Sequence, residues 1–389
     1  MFVRNQKTSM YQWKVYFVLL VFGSVLNAPY GSYLHVNATD CEFPAMFNFG
    51  DSNSDTGGLS SAFGAAPPPN GETFFHKPAG RYCDGRLVID FIAESLGLPY
   101  LSAYLQSVGS NFSHGANFAT AGSTIRPQNT TLRQSGFSPF SLDVQSWQFN
   151  QFKDKSIDAY NQSASYKDAL PKPEYFNKAL YTFDIGQNDL TAGFFLNMTV
   201  DQVRAFIPDV ISQFSTIIKN LHFGGGMFFL IHNTGPFGCL PYVLDRLPHS
   251  PSETDKYGCA IPYNEVAQDF NRLLKEEVIQ LRKDLPKAAI TYVNMYSIKY
   301  GLVTNATKEG FKYTVRACCG HGGQYNYNRN SGCGSKLGKS CEDPSIYLNW
   351  DGVHNTEASN HHISRHVISG EFSDPLLPVS QICQKPFSS

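Results

Sequence analysis

The chain has 389 residues, of which 31 are basic and 32 acidic, for a formal net charge of −1. So near a balance argues against a nucleic-acid partner and against attraction to an anionic membrane. The length is enough to bury a large core in one domain or two.

The first residues carry Arg4, Lys7 and Lys14 with no acid, and an apolar run follows over residues 15–26. This pattern predicts a secretory signal peptide over residues 1–28, with cleavage after Ala28 or as late as Ala38. The run is too short for a comfortable membrane span, and no later segment is apolar for long enough, so stable membrane insertion is not expected. Residues 39–389 read as a single domain. Six Asn-x-Ser/Thr acceptors, at Asn37, Asn111, Asn129, Asn161, Asn197 and Asn305, predict N-linked glycans and a secreted, extracellular protein. In an oxidising compartment the nine cysteines read mostly as disulfides. Candidate pairings are Cys239 with Cys259, pairs within the cluster Cys318, Cys319, Cys333 and Cys341, and Cys41 with Cys383. The connectivity stays open, and the odd count leaves at least one thiol unpaired. The paired C-x-x-C spacing of a zinc site is missing, so no metal is expected.

Apolar runs alternate with amphipathic segments, which predicts strands interleaved with crossover helices and therefore a parallel sheet. A first strand at residues 46–49 runs into Gly50-Asp51-Ser52-Asn53-Ser54-Asp55-Thr56-Gly57. This puts Ser52 just beyond the carboxyl end of a strand, where the functional crevice of an open α/β sheet lies. A serine hydroxyl needs a base, so the turn predicts a histidine elsewhere with a carboxylate beside it. Next comes Gly115-Ala-Asn-Phe-Ala-Thr-Ala-Gly-Ser-Thr124, in which Gly122 offers a bare backbone amide. A strand at 179–185 leads into Gly186-Gln187-Asn188-Asp189, whose Asn188 carries a side-chain donor at a strand end. A helix at about 203–222 stops at Gly224-Gly225-Gly226, and a strand at 227–232 follows at once. Residues 264–284 place Val266, Phe270, Leu273, Leu274, Val278 and Leu281 on one helical stripe. A strand at 289–295 follows. The segments 64–86, 127–139 and 317–345 are rich in Gly, Pro, Asn and aromatics and read as long ordered loops. Within them Phe74, Phe75, Tyr82, Tyr325 and Tyr327 either line a cleft or pack the loops onto the sheet.

Near the carboxyl end stands Asn349-Trp350-Asp351-Gly352-Val353-His354, ahead of a helix at 356–369 that ends at Gly370. The three-residue spacing lets Asp351 accept from one imidazole nitrogen while the other faces Ser52. His76, His114, His232 and His321 lack such a neighbour and read as loop or core histidines.

In the order Ser52, Gly122, Asn188, Asp351, His354, these blocks resemble the GDSL esterase/lipase family, also called SGNH hydrolases. His232-Asn-Thr-Gly-Pro-Phe-Gly-Cys-Leu-Pro241 is similar to a segment typical of its plant members. Where the family name implies leucine after the serine, this chain has Asn53. That string, with Thr73–Arg86 and Ala317–Asn326, resembles the branch of early-nodulin-like proteins, latex esterases and α-fucosidase-like proteins. The resemblance implies a three-layer α/β/α sandwich with a short parallel, flavodoxin-like sheet. It also implies acyl transfer without a cofactor: Ser52, Asp351 and His354 are catalytic, and the Ser52 and Gly122 amides with the Asn188 side chain hold the oxyanion. The expected partner is a small-molecule or polysaccharide ester, reached in the apoplast or cell wall. Three alternatives stay open: an acyltransferase using the same acyl-enzyme, a glycosidase using carboxylates from among Asp51, Asp55, Asp184 and Asp189, and a non-catalytic binding or defence protein.

Overall fold

The strands β1 (Met46–Gly50), β2 (Gly115–Asn117), β3 (Leu180–Asp184), β4 (Phe228–His232) and β5 (Ala289–Val293) pair in parallel in the order β2-β1-β3-β4-β5. This is the doubly wound order in which the chain reverses direction across the sheet between β1 and β3. The computed structural model describes residues 40–127, 138–163 and 166–384. The signal-peptide segment, Ala38, Asn37 and Asn129 lie outside them. Two further strands, β6 (Tyr313–Ala317) and β7 (Tyr347–Asn349), form a separate parallel pair, and β8 (Ser373–Asp374) closes the main sheet antiparallel to β5.

Among the described residues the α-helices are α1 (Gly58–Phe63), α2 (Val88–Ser95), α3 (Leu142–Gln162), α4 (Gln187–Phe195), α5 (Val200–Phe223), α6 (Pro241–Arg246), α7 (Ile261–Asp284), α8 (Met295–Thr304) and α9 (Glu357–Ser369). Alternation along the strands sends side chains to opposite faces of the sheet. Phe47, Phe49, Tyr181, Phe183, Phe229 and Ile231 pack with α3, α5 and α7, whereas Met46, Leu180, Leu230 and Val293 pack with α2, α8 and α9. Helices therefore cover both faces, giving the expected three layers. Burial on both faces is why these strands read as nearly continuous apolar runs. The stripe on α7 is buried as predicted, except that Leu273 is only partly so, and the helix starts three residues earlier, with Pro262 in its first turn. Thr356 caps α9, its hydroxyl accepting from Ser359 N, and Gly370 ends it with φ +75°.

Four disulfides form: Cys41–Cys383, Cys239–Cys259, Cys318–Cys341 and Cys319–Cys333, leaving Cys83 free and buried. The first two are among the candidate pairings, and the fold resolves the cluster. Asn111, Asn161, Asn197 and Asn305 are all exposed. Among the described residues no helix is long and apolar enough to cross a membrane, and no cluster of His, Cys, Asp and Glu suits a metal ion.

Candidate active site

β1 ends where it crowds β3. A Cβ on Gly50 would stand 2.6 Å from the Asp184 carbonyl oxygen, so only glycine permits this approach. Gln145 of α3, fully buried, takes the place of a ladder neighbour. Its Nε2 donates to Gly50 O at 2.8 Å and its Oε1 accepts from Gly50 N at 2.9 Å. The chain then turns: Asp51 N donates to Asp184 O at 3.1 Å, and Asp51 Oδ1 accepts from both Asn53 N and Asn53 Nδ2 at 3.0 Å. Asn53 thus spends its side chain folding the turn around Ser52, which is 7% exposed. Beneath the turn, Asn48 Nδ2 donates to Asn117 Oδ1 at 2.8 Å and to Ser54 Oγ at 3.0 Å, while Thr182 Oγ1 donates to Asn48 Oδ1 at 2.8 Å. Every hydrogen bond in this network lies in the interior, where an unpaired amide would cost about 1–3 kcal/mol.

Two buried carboxylates hold the loop that carries Gly122. Asp55 Oδ2 accepts from Ala121 N at 2.8 Å, while its oxygens also take the amides of Gly57, Gly58 and Leu59 at the start of α1. Asp189 accepts from Ile125 N at 2.8 Å and Arg126 N at 3.0 Å. Between these anchors Gly122 adopts φ +81°, a left-handed conformation that suits glycine. Burial pushes the Asp189 carboxyl up to about 7 and raises that of Asp55, against the pull of the amides.

Asn188 lies in the first turn of α4, after Gly186 turns the chain at φ +123°. Its Nδ2 donates to Ser123 O at 2.9 Å and, more weakly, to Asp51 Oδ2 at 3.3 Å. The second, third and first blocks of the sequence therefore meet at this one amide. Burial, with the nearby Asp184 charge adding to it, pushes Asp51 up to about 7.

The loop between β7 and α9 supplies the remaining block. Asp351 Oδ1 accepts from Val353 N and His354 N, both at 2.9 Å, and Asp351 Oδ2 pairs with His354 Nδ1 at 2.6 Å. Burial opposes the Asp351 charge, but the charge and hydrogen bond of His354 and the two amides outweigh it and hold the carboxyl below its usual range. His354 Nε2 is buried and has no hydrogen-bond partner. No hydrogen bond joins Ser52 to His354. Trp350, fully buried against Cys318 and Cys319, anchors the loop through a 2.9 Å hydrogen bond from Nε1 to Asn70 Oδ1.

Of the other histidines, His114 holds Pro44 O at 2.9 Å, His76 holds Glu72 O at 3.1 Å, and His321 is exposed. His232 differs from the expectation of a histidine without a carboxylate neighbour. Strand register sets it opposite Asp184, and Nδ1 lies 3.3 Å from Asp184 Oδ2, leaving Nε2 buried without a partner. Burial opposes ionisation of Asp184, yet His232 and then Lys299 keep its carboxyl below the usual range. Among the loop aromatics, the Tyr82 ring sits 5.8 Å from that of His354 and Tyr327 packs over Gly352. Phe74 and Phe75 instead stack under the guanidinium groups of Arg86 and Arg81 at 4.0 and 4.7 Å, bracing their loop.

Sequence reasoning missed Gln145, Asn48, Asn117 and Thr182. An isolated polar side chain in a helix or strand carries no local signal, and only pairing between distant segments reveals its use. The four carboxylates were singled out, and each proves to hold backbone or side-chain donors around the site.

The family model described as GDSL-like lipase/acylhydrolase matches residues 46–367. Alpha-L-fucosidase 3 of Arabidopsis thaliana is 60% identical over 343 residues, covering 86% of this chain and 92% of its own length. GDSL esterase/lipase ACHE of Zea mays is 57% identical over 355 residues, with 88% and 90% covered. Esterase of Hevea brasiliensis is 52% identical over 355 residues, with 89% and 90% covered.

Proposed function

The chain belongs to the GDSL-like lipase/acylhydrolase family and is an ester-cleaving serine hydrolase, and from that premise we propose that Ser52 is its nucleophile, His354 its base and Asp351 the orienting carboxylate. The observation that carries this assignment is the 2.6 Å Asp351–His354 pair with Nε2 left buried and unpartnered. With Nδ1–H held by Asp351, the free nitrogen takes the Ser52 proton as the hydroxyl attacks the ester carbonyl, and Asp351 supports the imidazolium that results. The tetrahedral oxyanion is held by the amides of Ser52 and Gly122 and by Asn188 Nδ2, which exchanges its long contact to Asp51 for the substrate oxygen. The protonated His354 then gives its proton to the leaving alcohol. Water attacks the acyl-enzyme by the same route in reverse.

Four disulfides support a secreted protein. We assign residues 1–28 as the signal peptide and 39–389 as one catalytic domain carrying glycans on its sequons, in the apoplast or cell wall. The substrate is a small-molecule or wall-polysaccharide ester.

The relative named as an α-L-fucosidase supports a second reading, because Asp51 is held high and Asp184 low, as an acid and a base would be. Against it, the Asp51 oxygens are occupied by Asn53 and Asn188. Replacing Ser52 by Ala separates the readings. Hydrolysis of 4-nitrophenyl butyrate should fall by at least about 10⁴-fold. Retained esterase activity overturns the Ser52 assignment, and a fucosidase activity untouched by the substitution establishes the carboxylate route.

A further inference from the structure

We propose that the cavity bordering the turns that carry Ser52, Asn188 and His354 is a carboxylate-binding subsite headed by Lys299, so that the preferred ester carries a carboxylate a few bonds from the scissile carbonyl. The inference rests on the ester-cleaving assignment above. It specifies which esters that site prefers.

The cavity's place is the first support. Asn53, Gln187 and Val353 line it, and each is the immediate chain neighbour of a proposed site residue, Ser52, Asn188 and His354 respectively. Its volume is about 40 Å³. A single water needs roughly 10–15 Å³, so the space has room for a carboxylate head.

Its chemistry is the second. Lys299 of α8 lines the cavity, is half-buried, and has no salt bridge within 4.0 Å among the described residues. The acid whose field it feels, Asp184, is engaged by His232 at 3.3 Å, and Asp51 is engaged by Asn53 and Asn188. Gly235 makes room for the lysine stem: a Cβ there would stand 2.8 Å from Lys299 Cδ. Asn349, 2% exposed, is a second lining residue. Its Oδ1 accepts from Gly352 N at 2.6 Å, which fixes the other atom as the donor, and that Nδ2 has no partner. An unpaired cation and an unpaired amide donor thus border one small space, with Leu302, Val303 and Ile363 completing an apolar wall. Two donors without an acceptor call for an acceptor-rich anion, and a low-polarity surround strengthens such a charge-assisted contact.

The carboxylate can belong to the acyl or to the alcohol part, and paired substrates tell these apart. For the acyl side, kcat/KM is measured for monoethyl succinate against ethyl butyrate. For the alcohol side, 3-acetoxypropanoate is compared with propyl acetate. In the wild type, the charged-to-neutral ratio of at least one pair should decrease as NaCl is raised. In Lys299→Met, which keeps the stem, that ratio should fall about ten-fold or more, and Lys299→Arg should fall less. Ratios within two-fold of wild type in both pairs overturn the subsite. If Lys299→Met fails to fold, as judged by thermal melting, the wild type still decides: succinate should inhibit ethyl butyrate hydrolysis more strongly than succinamide, and equal inhibition overturns the proposal. Failure of the wild type to cleave even the neutral esters brings down the esterase assignment and the subsite with it.

Discussion

His354 gives one nitrogen to Asp351 at 2.6 Å and keeps the other buried and unpaired, an arrangement that is costly unless a proton or a substrate arrives there. Asn188 is similarly divided, strongly bound to Ser123 O at 2.9 Å and weakly to Asp51 at 3.3 Å. The weaker bond is the one an oxyanion can replace. Asn188→Ala should lower kcat by about 10²–10³-fold with KM little changed, because the contact forms fully only in the transition state. A kcat within three-fold of wild type removes Asn188 from the oxyanion site. Asn53 shows how a departure from a family pattern is absorbed: its amide folds onto Asp51 within the turn.

The elements bearing these residues are short turns, and buried carboxylates hold two of them. Asp189 of α4 grips the Gly122 loop through Ile125 N and Arg126 N. Burial lifts its carboxyl to about 7, whereas in the unfolded chain it titrates near 3.8. Between those values the folded protein holds a proton that the unfolded chain has lost. The associated stability is thus full below about pH 4 and is lost as the pH rises through about 7. Melting curves of wild type and Asp189→Asn should show the wild type's relative advantage shrinking from pH 5 to pH 8. An advantage that grows toward pH 8 contradicts this account.

The same elements show what was legible beforehand. β1, β3, β4 and β5 are buried on both faces and stood out as apolar runs. β2 is three residues long and carries Asn117, so it offered no such run. β6 and β7 pair irregularly on either side of a loop rich in glycine and cysteine, and β8 is two residues long. Asp351 and His354 could be paired by spacing because one turn holds both. Asp184 and His232 meet only through the register of β3 and β4, and Gln145 meets Gly50 only through helix packing, so neither contact left a trace in local sequence.

At the scale of the molecule, the two ends of the described domain are tied together. Cys41 precedes β1, Cys383 follows the last turn, and their disulfide spans 342 residues of sequence. A cross-link over so long a loop restricts the unfolded chain most, although measured gains usually stay near about 2–4 kcal/mol. Because the bond joins the ends and not the site turns, Cys41→Ser with Cys383→Ser should lower Tm by several degrees. The kcat for 4-nitrophenyl butyrate should stay within two-fold at a temperature where both proteins are folded. A loss of kcat without loss of Tm would mean that the ends shape the site.

The claim on which the rest depends is that one serine, set by the end of β1 at the sheet's switch point, carries the acyl group. The direct measurement is labelling of the intact protein with a fluorophosphonate, followed by peptide mass spectrometry. The account predicts a single stoichiometric adduct on Ser52 that is lost in His354→Ala. An adduct on another residue, or an active esterase that leaves Ser52 unlabelled, would contradict it.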